Sequence, residues 1–141
     1  MNKIKSSKGF TLMEMLIVVA IIAVLVAIAI PTFTTSLNKA RVATDEANIR
    51  SGYAAFMAKI MSEDEVPEKG KEYYLNKDGT LFYTFAAELS YQCFGNQSDA
   101  SFRVAGHDVG TWSKGNAVKY VLTSEPGDKM TVEIVIDHDY S

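Results

Sequence analysis

Lys8-Gly9-Phe10-Thr11-Leu12-Met13-Glu14 opens the stretch that decides the fold, and the apolar run Met15 to Ile30 completes it. That run is sixteen consecutive apolar residues, with neither a charge nor a glycine among them. As a helix, Phe10 to Phe33 extends roughly 36 Å at ~1.5 Å per residue, enough to cross a hydrocarbon core of ~30 Å. A helix satisfies its own backbone groups, which hydrocarbon demands. Glu14 is the anomaly. A carboxylate within a membrane segment costs ~2.5 kcal/mol or more at the helix centre, so a charge one turn inside the run needs a partner.

Simpler readings of the stretch leave something over. A secretory signal peptide has an apolar region of ~7–15 residues and a small-residue cleavage site behind it. Here the run is longer and continues into helix-forming sequence. A plain single-pass anchor accounts for the hydropathy but not for the order: a polar leader, Gly9, Phe10, then a carboxylate four residues on. In that order Lys8-Gly9-Phe10-Thr11-Leu12-Met13-Glu14 resembles the processing motif of the type IV pilin and pseudopilin family, Gly-Phe-Thr-Leu-x-Glu. The resemblance implies that a membrane-embedded prepilin peptidase cuts between Gly9 and Phe10, removes the leader 1–9 and N-methylates Phe10. It further implies that Glu14 pairs with the Phe10 amine of a neighbouring subunit. The physics of such a pair is clear. Opposite charges attract far more strongly in hydrocarbon than in water, and leaving either unpaired is costly, so the pair selects one axial stagger between packed helices. Nothing after about residue 60 carries a motif of this kind.

A chain of 141 residues with 48% hydrophobic content holds one small domain plus the anchor. The single cysteine, Cys93, excludes an intrachain disulfide. Many relatives implied by the resemblance staple their C-terminal region with one, and this chain has to hold that region by other means. Beside Tyr91 and Phe94, Cys93 reads as a small buried apolar residue. Charge is uneven: residues 1–61 hold seven Lys/Arg against three Asp/Glu, and residues 62–141 hold seven against fourteen. Lys3, Lys5 and Lys8 keep the leader cytoplasmic and send the rest outward. The acidic outer part repels polyanions, which argues against nucleic acid as a partner.

In chain order, the reading divides into the leader 1–9, a transmembrane and polymerisation helix 10–36, and a globular head 37–141. Pro31 removes one helical hydrogen bond and crowds the carbonyl of Ala27, with Thr32, Thr34, Thr35 and Ser36 at hand to serve freed groups. The resemblance makes Pro31 a point of helix flexibility. From Thr32 to about Met61 the pattern turns amphipathic: Val42, Ile49, Tyr53, Phe56 and Ile60 share one face. Lys39, Arg41, Asp45, Arg50 and Lys59 decorate the remainder, and Gly52 permits a close approach. Ser62 to Gly70 ends the helix as an acidic, solvated loop. Tyr73-Tyr74-Leu75 and Leu81-Phe82-Tyr83 flank a turn with Gly79 at positive φ. Thr84 to Tyr91 reads as a short helix or irregular segment, and Gly95 to Ala100 as a polar loop. Phe102 to Val104, Ala117 to Thr123 and Met130 to Ile136 read as strands, the last two joined across Glu125-Pro126-Gly127-Asp128. Three or four antiparallel strands against one long helix make an α+β fold, the pilin fold of the resembled family.

Catalytic and ligand-binding patterns are sparse. His107 and His138 stand apart, no Gly-rich phosphate loop occurs, and no spacing suggests a serine or cysteine triad. Asp137-His138-Asp139 is the nearest approach to a metal cluster and reads as a solvated tail; no cofactor is expected. Asn96-Gln97-Ser98 fits a glycosylation acceptor pattern that is common by chance. An anchored enzyme is therefore disfavoured. The resemblance implies a non-enzymatic subunit of a type IV pilus filament, serving adhesion, motility or aggregation. Its expected partners are further copies of itself, the prepilin peptidase, the assembly platform with its ATPase, and the membrane while monomeric. It would pass from the bacterial inner membrane to an extracellular filament. The alternative is a pseudopilin of a type II secretion or DNA-uptake (competence) system, which shares the N-terminal motif.

Overall fold

The computed structural model describes residues 9–62, 66–124 and 131–138. The leader before Gly9, Glu63-Asp64-Glu65, the Glu125–Asp128 turn and Asp139 lie outside them. One helix, α1 (Leu12–Met61), is followed by β1 (Glu72–Leu75), β2 (Leu81–Phe82), β3 (Arg103–Val104), β4 (His107–Asp108), β5 (Ala117–Leu122) and β6 (Val132–Asp137). The chain divides into two compact units, one ending at Leu37 and one beginning at Asn38.

In the first unit every described residue from Gly9 to Ser36 is exposed. By length and composition this helix is apolar enough to cross a membrane. It runs through Pro31 without a break. Thr32 Oγ1 donates to the Ile28 carbonyl at 3.1 Å, and Thr34 and Thr35 donate to that of Pro31 at 2.9 and 3.0 Å. Those bonds end on Ile28 and Pro31. The Ala27 carbonyl, whose usual donor the proline lacks, is therefore not the one these hydroxyls serve.

In the second unit four antiparallel strands form one sheet in the order β2-β1-β5-β6. The α+β expectation of three or four antiparallel strands holds, with four in the sheet. Strand burial shows why the helix covers one face only. Val118, Tyr120 and Leu122 of β5 alternate inward with Val132, Ile134 and Ile136 of β6, and all join Ile49, Phe56 and Ile60 of the helix in one core. Val42 and Tyr53 pack at its margin, so the apolar seam lies on the expected helix face. Phe56 stacks on Tyr120 with ring centres 5.7 Å apart. On the outer face Lys119 of β5 bridges Glu72 of β1 at 2.7 Å and Asp137 of β6 at 3.3 Å. Burial pulls the Lys119 ammonium down, but its hydrogen bonds to the two carboxylates outweigh that and leave its pKa raised.

The expected strand at Phe102–Val104 needs correction. Residues Arg103–Val104 pair only with β4, as a separate two-stranded ribbon outside the four-stranded sheet. The tight turn between them holds Ala105 at φ 50° and Gly106 at φ 83°, a geometry that closes a two-residue hairpin before the chain can extend. The Thr84–Tyr91 segment forms no helix. A bridge between Asn76 and Ser90 and a bond from the Lys77 amide to the Leu89 carbonyl (2.9 Å) hold it against the β1–β2 turn instead.

Gly52 is the closest approach in the core. A Cβ there would lie 2.2 Å from the hydroxyl of Tyr120, which donates to the Ile49 carbonyl at 2.7 Å. Gly52→Ala gains up to ~1 kcal/mol of helix propensity. Overpacking costs about 1–3 kcal/mol, and the Tyr120 bond must also shift. The loss is expected to win, giving a lower melting temperature for the detergent-solubilised variant. An unchanged or raised midpoint would mean that Tyr120 swings aside freely.

Candidate functional site

Gly9, Phe10 and Thr11 precede the helix, and Phe10 is 80% exposed. Glu14 lies in the first helical turn. Its Oε2 accepts the Thr11 amide at 2.8 Å, and its own amide donates to Thr11 Oγ1 at 3.2 Å. Thr11 and Glu14 thus form a reciprocal capping box, which satisfies two N–H donors at a helix start where such donors lack intrahelical acceptors. The carboxylate also sits at the positive end of the helix dipole. Within the uncut chain, then, Glu14 already has a partner. The Thr-x-x-Glu spacing that signals this was present in the sequence, inside the motif that drew attention for another reason. The box leaves most of the acceptor capacity of the carboxylate open, since an ionised carboxylate offers about four lone-pair sites.

The comparisons bear on this same segment. The family description "Prokaryotic N-terminal methylation motif" matches residues 4–30. Proteins similar to the chain include the "Type IV narrow pilus major component PilA5" of Thermus thermophilus, 51% identical over 51 residues, which are 34% of this chain and 44% of that protein. "Fimbrial protein Q" of Moraxella bovis is 36% identical over 66 residues, covering 47% of this chain and 41% of its own. The "Type IV major pilin protein PilA" of Myxococcus xanthus is 34% identical over 77 residues, covering 48% and 35% respectively. Over its N-terminal third to half, the chain is similar to type IV pilins. The matches span less than half the length of each of these pilins. No solved structure gives a significant match.

The unit that begins at Asn38 contains a second constellation, and it lies on a different helix face from the one expected. Asp45 was expected on the solvent side with Lys39 and Arg41; it is fully buried. Its Oδ1 accepts the Tyr91 hydroxyl at 2.5 Å and the Phe94 amide at 2.8 Å. Its Oδ2 accepts the Gly95 amide at 2.8 Å and the Trp112 indole N–H at 3.1 Å. Four donors surround one carboxylate, which is how a buried charge is made tolerable without a counter-ion. Asn48 adds a donor to the Tyr91 hydroxyl at 3.1 Å. Burial, then the bond to Asp45, push the Tyr91 phenol above its usual range. Burial and the charge of Asp45 raise the Cys93 thiol to about 12, so Cys93 is an inert core residue. The signal in the sequence was spacing. Asp45 precedes Ile49, Gly52 and Phe56 by four, seven and eleven residues, which is the stripe itself.

This hub ties the 91–97 loop down. Gly95 sits so close to the helix that an added Cβ would lie 2.8 Å from the Val42 amide. Asn38 clasps Asn96 by two bonds, from the Asn96 amide to Oδ1 at 2.9 Å and from Nδ2 to the Asn96 carbonyl at 3.0 Å. The Asn96 side chain also accepts the Lys114 amide at 2.9 Å, so the acceptor pattern falls on a fastened turn rather than a loose loop.

The remaining candidates are not brought together. His138 Nδ1 lies 3.2 Å from Asn116 Oδ1, while Asp137 serves Lys119. His107 Nε2 lies 3.2 Å from the Tyr53 hydroxyl. Among the described residues no group of three His, Cys, Asp or Glu side chains is placed to hold a metal ion.

Proposed function

We propose that this chain is the non-enzymatic subunit of a type IV pilus filament, trimmed between Gly9 and Phe10 and polymerised through its N-terminal helix. The observation that carries the reading is the complete motif set at the start of an exposed apolar helix, with Glu14 in the first turn. As a monomer the chain is a single-pass membrane protein, because 1–9 as leader and 10–36 as anchor leave the head from residue 37 outside. In the filament the same apolar surface is buried against other copies, which removes it from both water and lipid. Glu14 then pairs with the Phe10 amine of the next subunit and sets the stagger, and Pro31 supplies flexibility between the anchor and the head. The peptidase and an ATPase-driven assembly platform are the partners this pathway requires. Adhesion, motility or aggregation is its output. The similarity to a pilus major component and to a major pilin favours a pilus over the secretion or DNA-uptake alternative.

Mass spectrometry of protein sheared from the cell surface tests the processing step. The expected chain begins at N-methylated Phe10, and Gly9→Val is expected to leave uncut precursor in the membrane, since a side chain then occupies the scissile position. Surface material that retains Met1 would overturn the reading.

A further inference from the structure

Two exposed apolar side chains of the second unit meet at one cleft. Phe82 of β2 and Leu89 of the segment before Ser90 are 54% and 62% exposed. They line a cleft of about 170 Å³ with Asn76, Lys77, Asp78 and Glu88. Its walls are built rather than incidental. The Asn76 amide donates to the Thr80 carbonyl at 2.8 Å and closes the turn. The Lys77 amide donates to Leu89 and its ammonium to the Glu88 carbonyl, at 2.9 and 2.7 Å, and these fasten the second wall to the first. A preformed cleft loses little entropy when it binds.

The free groups on these walls define a chemistry. Asp78 spends Oδ1 on Thr80, by bonds of 2.9 and 2.6 Å, which leaves Oδ2. Those same Thr80 bonds hold the Asp78 carboxyl below its usual range, so it stays an acceptor. Glu88 spends none of its carboxylate on the described residues, and the Lys77 ammonium has donors left after Glu88. An aromatic ring beside carboxylate acceptors and an ammonium donor fits a ring with hydroxyls on its rim and C–H groups on its face. We propose that this cleft is a binding subsite for one neutral pyranose unit. Its volume holds roughly six waters at ~30 Å³ each, or one hexose, and is too small for a drug-sized ligand of ~300 Å³ or more. Binding of a single ring through one aromatic contact and a few hydroxyl bonds belongs in the millimolar range. The subsite does not depend on assembly.

The test uses the full chain in micelles of a detergent without a sugar headgroup, with backbone amide resonances followed by NMR. Methyl glucosides, galactosides and mannosides are titrated singly to about 50 mM, a range that spans millimolar affinity. One of them is expected to shift the Lys77, Asp78, Phe82 and Leu89 amides saturably. Phe82→Ala is expected to weaken that binding about tenfold, in line with losing a ring contact, while Phe82→Tyr retains it. Glu88→Gln is expected to weaken it by a smaller factor. Phe82 is exposed, so both variants keep the amide dispersion of the parent. No saturable shift with any pyranoside overturns the proposal, as does a shift that Phe82→Ala leaves unchanged. A saturable response to choline alone, in place of the sugars, would identify a cation site and overturn it too. None of these outcomes involves filaments, so they leave the pilus reading where it stands.

Discussion

Asp45→Ala is expected to lower the stability of the head by roughly 3–5 kcal/mol, the scale of breaking a buried charged network from one side. The substitution removes one side chain but strands four donors: the Tyr91 hydroxyl, the Phe94 and Gly95 amides and the Trp112 indole N–H. Each unsatisfied buried donor costs about 1–3 kcal/mol, and water entering the gap recovers part of the sum. That loss is a large share of the ~5–15 kcal/mol a domain possesses. Asp45→Asn is expected to fall between, because its amide keeps one acceptor and turns a second position into a donor facing donors. Two readouts follow the hub directly. Trp112 fluorescence should shift as the indole is wetted, and amide exchange at Phe94 and Gly95 should accelerate ahead of that in β5. A melting midpoint lowered by less than about 5 °C in the alanine variant would mean that the network contributes no more than an ordinary surface bond.

Glu14→Val is expected to abolish filaments while leaving membrane insertion and peptidase cleavage intact. Valine removes a charge from an apolar segment, so the anchor becomes more favourable in lipid, not less. What it loses is twofold: the capping bond to the Thr11 amide and the charge proposed to meet the Phe10 amine. Glu14→Gln separates them. Glutamine serves a capping box as glutamate does, but carries no charge. If pairing sets the stagger, the glutamine variant fails along with valine, and Glu14→Asp, which keeps the charge on a shorter arm, is intermediate. If the helix cap is the whole role, glutamine assembles normally and valine loses only about 1 kcal/mol at the helix end. The measurement is filament yield after shearing, with membrane-bound subunit quantified alongside. Normal filaments from the valine variant at normal subunit level would remove Glu14 from assembly altogether.

Burial of Asp45 marks where a one-dimensional reading stops. Position 45 lies on the apolar stripe by spacing, and its residue type says solvent; the two signals conflict, and only the donors resolve the conflict. Those donors come from residues 46 to 67 positions away along the chain, so no local pattern announces them. They also fasten the 91–97 loop in a chain whose single cysteine excludes an intrachain disulfide.

The sequence by itself determined the long apolar helix, the motif around Gly9, Phe10 and Glu14, and the seam of Ile49, Phe56 and Ile60. Each depends on spacing within one helix, and helical periodicity is a local property. It also determined the β1–β2 turn, because Gly79 meets a positive φ that few other residues tolerate. Only the tertiary structure decided the strand order β2-β1-β5-β6, the separation of β3 and β4 from that sheet, and the inward turn of Asp45. Strand order depends on which edges meet after the helix has covered one face, and a buried carboxylate depends on donors delivered from the far end of the chain. Both are set by packing between distant segments, where the sequence supplies the groups and the fold chooses their partners.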